Sequence, residues 1–438
     1  MKLGVVSLGC DKATVDSERL VGELVGHGAE VVPDPGTADV VLVNTCGFID
    51  AAKRESIEAI LEATRLKAGG VVKAVVAVGC LVERYGAELR AEIPEVDLLL
   101  GFSELHRLVP ELAARGLIGD PIAGHPGTRH YLGAGRHVRY LKISEGCDHT
   151  CAFCAIPLMR GRHRSEPLER LVQEARQLEA EGARELNLVA QDLGHWGRDL
   201  GLGGPSLPEL LQALLQETTV PWLRLLYVYS AGLTRPLLDL MARERRIVPY
   251  IDIPIQHASD RMLERMRRPE RRDSLRERVR ALRDAVPDIA IRSTAIVGFP
   301  GETDDDFRIL CDFAEEIGFE RLAVFAYSAQ EGTRAAALDD DVPDALKRER
   351  QDELEELQRA ITEERLSRFV GRSVDVLIDR VTDPDEVGAT HVGRVWWQAD
   401  DVDGLTYVER GGWHKPGDFA HATLTACQDY DFRCVAAV

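Results

Sequence analysis

Three cysteines within eight residues constrain this chain more than anything else in it. The stretch reads Tyr140-Leu-Lys-Ile-Ser-Glu-Gly-Cys147-Asp-His-Thr-Cys151-Ala-Phe-Cys154-Ala-Ile-Pro157. An apolar, strand-like run ends in a glycine, and thiols follow at CxxxCxxC spacing. Thiolates so closely spaced on one loop converge on one metal centre. A structural zinc normally takes four protein ligands, and the loop supplies three, so zinc would need a distant fourth such as His149. An iron–sulfur cluster held by three cysteines instead keeps one iron open to a further ligand.

A second thiol set emerges from the first 125 residues, where strand and helix patterns alternate. Apolar runs at Leu3–Leu8, Asp39–Val43 and Val71–Val78 read as strands, with helical spacing at Asp16–Val25 and Ala51–Lys67. Continuous Val/Leu strands joined by helices imply a parallel sheet covered on both faces. Cys10, Cys46 and Cys80 each follow one of these strands, as Leu-Gly-Cys, Asn-Thr-Cys and Val-Gly-Cys. In a parallel sheet the strands' C-terminal ends share the edge where ligands bind. Free cysteines are commonly buried small hydrophobes, but three at equivalent strand ends point to a second three-ligand cluster.

Gly, Pro and His accumulate between residues 119 and 136, the composition of a linker. Residues 137–335 then carry six strand candidates: Val138–Ile143, Glu185–Val189, Trp222–Val228, Ile251–Ile255, Ile289–Val297 and Leu322–Ala326. With intervening helices they suit an open, partial (β/α) barrel whose site lies at the strands' C-terminal ends. Gln191-Asp192, Tyr229-Ser230, Gln256-His257, Gly298–Glu302 and Tyr327-Ser328 occupy such ends. His257 reads equally as a cavity residue or a structural histidine. Arg261–Arg280 holds nine arginines against four acids, either a phosphate-contacting face or a solvated helix. A charged helical connector over 344–369 precedes a different pattern from 370 to 438. There, period-two alternation in Ser373–Asp379 and frequent Gly, Asp and Pro indicate a small antiparallel barrel. Trp396 and Trp397 either stack bases or fill its core. Cys311, Cys427 and Cys434 read as structural thiols.

At 438 residues the chain is long enough for two or three domains. Its apolar N-terminal run is too short for a secretory signal, and no apolar run reaches membrane-spanning length. Nine scattered cysteines, an odd number, do not make a disulfide framework, so a reducing cytoplasm is expected. The formal charge of −19 argues against a generic nucleic-acid binder and suits a basic protein partner. The last section alone has six Lys and Arg against twelve Asp and Glu, a net charge of −6.

The cysteine loop, with Phe153 before its last thiol, resembles the radical S-adenosylmethionine enzymes. With both triplets the chain resembles the methylthiotransferase family of those enzymes along essentially its whole length, and within it the RimO type. The matching stretches are Ser7–Lys12, Val15-Asp-Ser-Glu18, Asn44-Thr-Cys-Gly-Phe-Ile49, Lys142–Cys151, Val189-Ala-Gln-Asp192, Tyr250–Ser259 and Ile296–Thr303. Ala13 and Ser230 depart from that type, which usually has Asn and Pro there. The transfer-RNA branch would more typically carry Gly-Cys-Gln-Met-Asn at the first cysteine.

The resemblance implies three domains: a cluster domain (1–125), a radical domain (137–335) with its connector, and a TRAM-like barrel (370–438). It implies two 4Fe-4S clusters, one on Cys10, Cys46 and Cys80 and one on Cys147, Cys151 and Cys154. It also implies S-adenosylmethionine as methyl donor and as source of a 5′-deoxyadenosyl radical, with Phe153 near its adenine and Gln191 against cofactor or substrate. The implied substrate is an aspartate β-carbon of the small-subunit ribosomal protein numbered twelve, with a flavodoxin or ferredoxin as electron donor. A transfer-RNA adenosine methylthiotransferase shares all six ligands, and a non-catalytic iron–sulfur module binding the ribosome is a third reading. No acid–base catalytic residue is singled out.

Overall fold

The structure is a computed structural model that describes residues 1–122, 129–133, 135–201 and 203–437. Part of the glycine-rich linker, 123–128 and residue 134, lies outside the described residues.

The N-terminal sheet is built from β1 (Lys2–Ser7), β2 (Glu30–Val32), β3 (Val40–Thr45), β4 (Ala74–Gly79) and β5 (Leu98–Leu100). The helices α1 (Asp11–Gly26), α2 (Asp50–Ala68), α3 (Cys80–Glu92) and α4 (Leu108–Ala114) connect and cover these strands. Every pairing is parallel, in the order β2-β1-β3-β4-β5. β3 and β4 are buried along their whole length, with apolar clusters on both faces, which is why they read as unbroken Val/Leu runs. The edge strands β2 and β5 have three residues each, too short to show a period.

The central domain runs β6 (Val138–Lys142), β7 (Ser144–Glu145), α5 (Ile156–Arg160), β8 (Arg164–Ser165), α6 (Leu168–Ala180), β9 (Glu185–Val189), α7 (Leu207–Glu217) and β10 (Trp222–Leu225). It continues through α8 (Arg235–Arg243), β11 (Ile247–Asp252), α9 (Asp260–Arg265), α10 (Arg272–Ala285), β12 (Ala290–Val297), α11 (Asp304–Ile317) and β13 (Arg321–Ala326). Six parallel strands form an open sheet, β13-β12-β11-β10-β9-β6. β10 ends three residues before the expected Val228, and Tyr227 beyond it takes a left-handed φ of 67°. β11 begins earlier than expected, its register against β10 shifting around Pro249, a residue without an N–H to pair.

The helix α12 (Asp344–Ser367) is more than a connector. Leu354 and Leu366 are buried and the Gln358 amide bonds the Phe319 carbonyl at 2.8 Å, so it covers the otherwise open β13 edge. The C-terminal barrel closes from β14 (Ser373–Val381), β15 (His391–Arg394), β16 (Thr406–Val408), β17 (Phe419–Gln428) and β18 (Asp431–Ala436). It is antiparallel except for one parallel pair, β16 with β18. Trp397 is buried and stacks on Phe369 at 3.9 Å, and Trp396 meets both rings edge-on. Trp397 is thus core, whereas Trp396 is half-buried.

This barrel packs into the concave face of the central sheet. Alternation along β9 sends Leu186 and Leu188 to the helix-covered core and Val189 to the core shared with the barrel. Glu185, fully buried, accepts from Arg224 at 2.6 Å and from Arg394 of β15 at 2.7 Å. Burial pushes its carboxyl upward, but the two guanidiniums more than offset this and hold it below the ordinary range. Arg224 also donates to the Trp396 carbonyl at 2.7 Å, and Tyr250 donates to Asp403 at 2.5 Å. Removing one partner of a buried ion pair strands the others without water. Glu185→Ala is therefore expected to destabilise the protein by about 3–5 kcal/mol in urea denaturation. A loss below about 1 kcal/mol, the worth of an exposed pair, would contradict this reading of the interface.

Candidate functional site

The N-terminal strand order reverses direction between β1 and β3, the topological switch point where parallel sheets open a crevice. Cys10 caps the N-terminus of α1 beside β1, Cys46 follows β3, and Cys80 opens α3 directly after β4. Two of these thiols thus sit at helix N-termini, where backbone N–H dipoles favour thiolate charge. Ser56 fixes Cys46 through both backbone groups, its Oγ accepting from the N–H at 2.9 Å and donating to the carbonyl at 3.0 Å. A Cβ on Gly47 would stand 2.9 Å from the Leu81 backbone, so only glycine lets the Cys46 loop lie on the start of α3. Gly79 takes φ 99°, and a Cβ there would lie 2.6 Å from the Thr45 carbonyl. Burial pushes the Cys80 thiol up to about 11 against the pull of Arg160, and it raises Cys46 as well.

The other set sits between β7 and α5, at the C-terminal end of the first strand of the central sheet. The Cys147 N–H bonds the Gly161 carbonyl at 3.1 Å, and Ala152 is pinned by Met266 and Ala335 at 2.9 and 2.8 Å. The Ile156 N–H donates to Cys154 Sγ at 3.4 Å, and the Tyr229 hydroxyl lies 3.2 Å from Cys151 Sγ. Burial pushes Cys147 up to about 11 and Cys154 up to about 12. Such thiols keep their protons near neutral pH until a metal displaces them.

The donor geometry distinguishes the two metal readings. Among the described residues no three thiol sulfurs come within 4.8 Å of one another. A tetrahedral zinc with Zn–S near 2.3 Å needs sulfurs about 3.8 Å apart. Neither triplet is gathered closely enough to be closed around a single zinc. His149, the candidate fourth zinc ligand, is engaged with Asp192 at 2.8 Å and stacks on Tyr229 at 3.9 Å.

A buried charge cluster ties the two sets together. Arg160, on the helix that follows Cys154, donates to Asp16 at 3.0 Å and to both oxygens of Glu145 at 3.0 Å. Lys142 joins the same two carboxylates. Burial pushes Glu145 upward, but Lys142 and Arg160 outweigh it and hold the carboxyl down at about 2. Cys80 packs with Ala155, Met159, Phe102 and Ile156, which puts one thiol of the first set against the helix that directly follows the second. Arg129 bridges Glu18 to Glu174, and Arg84 donates to Gln330 and the Glu331 carbonyl at 3.2 and 2.8 Å.

Beside this contact lies a cavity of about 800 Å³ between all three domains, lined among others by Cys10, Tyr227, Arg292, Asp379, Asp400 and Asp401. Lys12 lies 3.5 Å over the Tyr227 ring at its edge. Burial pushes Asp400 up to about 6, whereas His137 and Arg394 outweigh burial at Asp379 and hold it low.

Gln191 donates to Glu145 at 3.2 Å, and its buried amide oxygen has no protein partner. Phe153 packs half-buried against the Met262, Met266 and Phe299 cluster. His257 is structural: fully buried, its Nδ1 accepts from the Ala258 and Ser259 N–H groups at 2.9 Å, and its Nε2 faces Glu302 at 3.3 Å. Several arginines of the 261–280 stretch have partners within the protein, although most of them stay exposed. Arg261 pairs with Asp306, Arg276 with Glu316, Arg278 with Ser230, and Arg265 with the Pro300 carbonyl. Cys311, Cys427 and Cys434 lie on α11, β17 and β18. Sequence reasoning missed Arg160 and Glu145. Its one available signal was Val15-Asp-Ser-Glu18, whose Asp16 and Glu18 are buried ion-pair partners of the central domain.

Replacing Arg160 by methionine keeps the packing volume and removes the shared cation. Cofactor cleavage by the protein is expected to persist while formation of modified product falls about a hundredfold, the scale of a misplacement near 1 Å. Chromatographic assay of both products checks this, and parallel losses in the two would refute a bridging role.

Comparison with known proteins agrees with this architecture. Residues 2–101 match Uncharacterized protein family UPF0004, residues 141–314 the Radical SAM superfamily, and residues 370–436 the TRAM domain. Among curated proteins, a ribosomal protein uS12 methylthiotransferase RimO from Anaeromyxobacter sp. (strain Fw109-5) is 44% identical over 431 residues, covering 97% of this chain and 91% of that one. Those of Aquifex aeolicus and Geobacter sulfurreducens are 42% and 41% identical, with 98% of this chain and 96% and 97% of theirs covered. Among solved structures, the radical S-adenosylmethionine methyltransferase TsrM from Kitasatospora setae, with cobalamin and a [4Fe-4S] cluster bound, aligns at TM-score 0.55 and 16% identity over 74% of each chain. That likeness speaks to the fold. At more than 40% identity along nearly its full length, the chain belongs to the RimO family of ribosomal protein uS12 methylthiotransferases, within the radical S-adenosylmethionine superfamily.

Proposed function

We propose that this protein attaches a methylthio group to the β-carbon of an aspartate in ribosomal protein uS12. The observation that carries the reading is two three-thiol sets at the ends of two neighbouring sheets, with Cys80 of one packed beside Ala155 next to Cys154 of the other and a buried charge cluster bridging their domains. Cys10, Cys46 and Cys80 hold one 4Fe-4S cluster and Cys147, Cys151 and Cys154 the other. When bound, the clusters and S-adenosylmethionine supply what side chains lack, namely one-electron chemistry able to break an unactivated C–H bond and the sulfur and methyl that replace the hydrogen.

The protein's own residues bind, orient and exclude water. The unpartnered Gln191 oxygen can accept a hydrogen bond from the cofactor, and Phe153 offers an apolar face to its adenine. The cavity admits a side chain between the domains, with Cys10 at its wall. Its acidic barrel side, Asp379, Asp400 and Asp401, favours a basic protein segment over nucleic acid. By resemblance, electrons come from a flavodoxin or ferredoxin in the cytoplasm. No helix among the described residues is long and apolar enough to cross a membrane.

The test incubates anaerobically reconstituted protein with S-adenosylmethionine, a reductant, and either uS12 in the small ribosomal subunit or transfer RNA. Peptide mass spectrometry should find hydrogen replaced by methylthio on one uS12 aspartate, with nucleosides unchanged. A methylthio-adenosine with unmodified uS12 would assign the protein to the transfer-RNA reaction instead.

A further inference from the structure

One thiol of the central set has a partner of a kind no other ligand cysteine has among the described residues. The Tyr229 hydroxyl lies 3.2 Å from Cys151 Sγ, and Tyr229 makes no other side-chain hydrogen bond there. Its ring is held on both faces, by the His149 imidazole stacked at 3.9 Å and by the Arg268 guanidinium at 3.8 Å. Each clamp is itself anchored. Asp192 accepts from the Tyr229 N–H at 3.2 Å and engages His149 at 2.8 Å, while Arg268 donates to the Pro254 carbonyl at 2.7 Å. Arg268 Nη1 is also 4.0 Å from Cys151 Sγ, and its side chain is 2% exposed. The phenol therefore has little freedom to point elsewhere. By contrast, Cys154 receives only the Ile156 backbone N–H, and the N-terminal thiols have no tyrosine partner.

We propose that Tyr229 is a positioning residue that sets the reduction potential of the radical-generating cluster by donating its hydroxyl hydrogen to the Cys151 thiolate, with Arg268, itself paired with the buried Glu270 carboxylate at 3.3 Å, holding the ring. Reduction adds one electron, from a flavodoxin- or ferredoxin-class donor in the cell or from dithionite in the experiment, so the cluster becomes more negative. A hydrogen bond to a ligand sulfur and a nearby buried cation both stabilise that reduced form and raise the potential. The N-terminal set has no tyrosine donor and meets the buried Arg160 guanidinium at Cys80 instead, so the two clusters are expected to accept electrons at different potentials. The proposal rests on the assignment of Cys147, Cys151 and Cys154 as cluster ligands.

The test uses the full chain carrying Cys10→Ala, Cys46→Ala and Cys80→Ala, so that one cluster is observed. Its potential is followed by electron paramagnetic resonance at fixed solution potentials. Tyr229→Phe keeps the clamped ring and removes only the donor. It should load the same iron and shift the reduction equilibrium about tenfold toward the oxidised form, about 59 mV for a one-electron couple. Fluorotyrosine at position 229, a stronger donor of nearly the same size, should move the potential the opposite way. An unchanged potential in Tyr229→Phe at full iron load would overturn the proposal, as would loss of iron on removal of the hydroxyl alone. A parent protein without iron would instead refute the ligand assignment, and the tuning proposal with it.

Discussion

The Arg160 guanidinium, shared between Asp16 of the N-terminal domain and Glu145 of the central one, is the contact on which the rest of the arrangement depends. Its side chain is 2% exposed, so the cation has little water to fall back on if its carboxylates are removed. Breaking such a pair costs about 3–5 kcal/mol, far more than a surface bridge. Arg160 lies on the short helix after Cys154, and Cys80 packs on the same helix, so the ion pair sits where the two thiol sets approach each other.

The same economy recurs elsewhere in the fold. Parallel sheets deliver polar loops to one edge, and here two such edges neighbour each other, one with its thiols at a topological switch point. The C-terminal barrel fills the concave face of the central sheet through Glu185, Arg224 and Arg394, and so forms the third wall of the cavity. A six-stranded open sheet would otherwise leave its inner face and one edge exposed. The barrel covers the face and α12 covers the edge.

Much of this was legible in the chain because the signals were local. Continuous Val/Leu strands gave the parallel sheets, and each cysteine beside a strand end and a glycine announced its own position. What was not legible was set by contacts distant in sequence. Arg160 and Glu145 look like ordinary surface charges until Asp16, more than a hundred residues earlier, is brought against them. His257 was ambiguous because the same residue type serves cavities and turns, and only the Ala258 and Ser259 N–H groups decide between them. The arginines of 261–280 left two readings open, a phosphate-contacting face or a solvated helix, because partners such as Asp306 and Glu316 belong to the next helix. β2 and β5 were too short for any period, and the parallel β16–β18 pair depends on barrel closure, which alternation alone does not encode.

The central claim is that the chain holds two separate clusters. Iron and sulfide content, measured anaerobically in the wild type and in Cys10→Ala/Cys46→Ala/Cys80→Ala alongside cofactor cleavage, tests it most directly. The account predicts roughly eight irons falling to roughly four, two four-iron clusters reduced to one, with cleavage retained. About four irons in both proteins would mean that the N-terminal thiols bind no cluster, and the methylthiolation reading would fail.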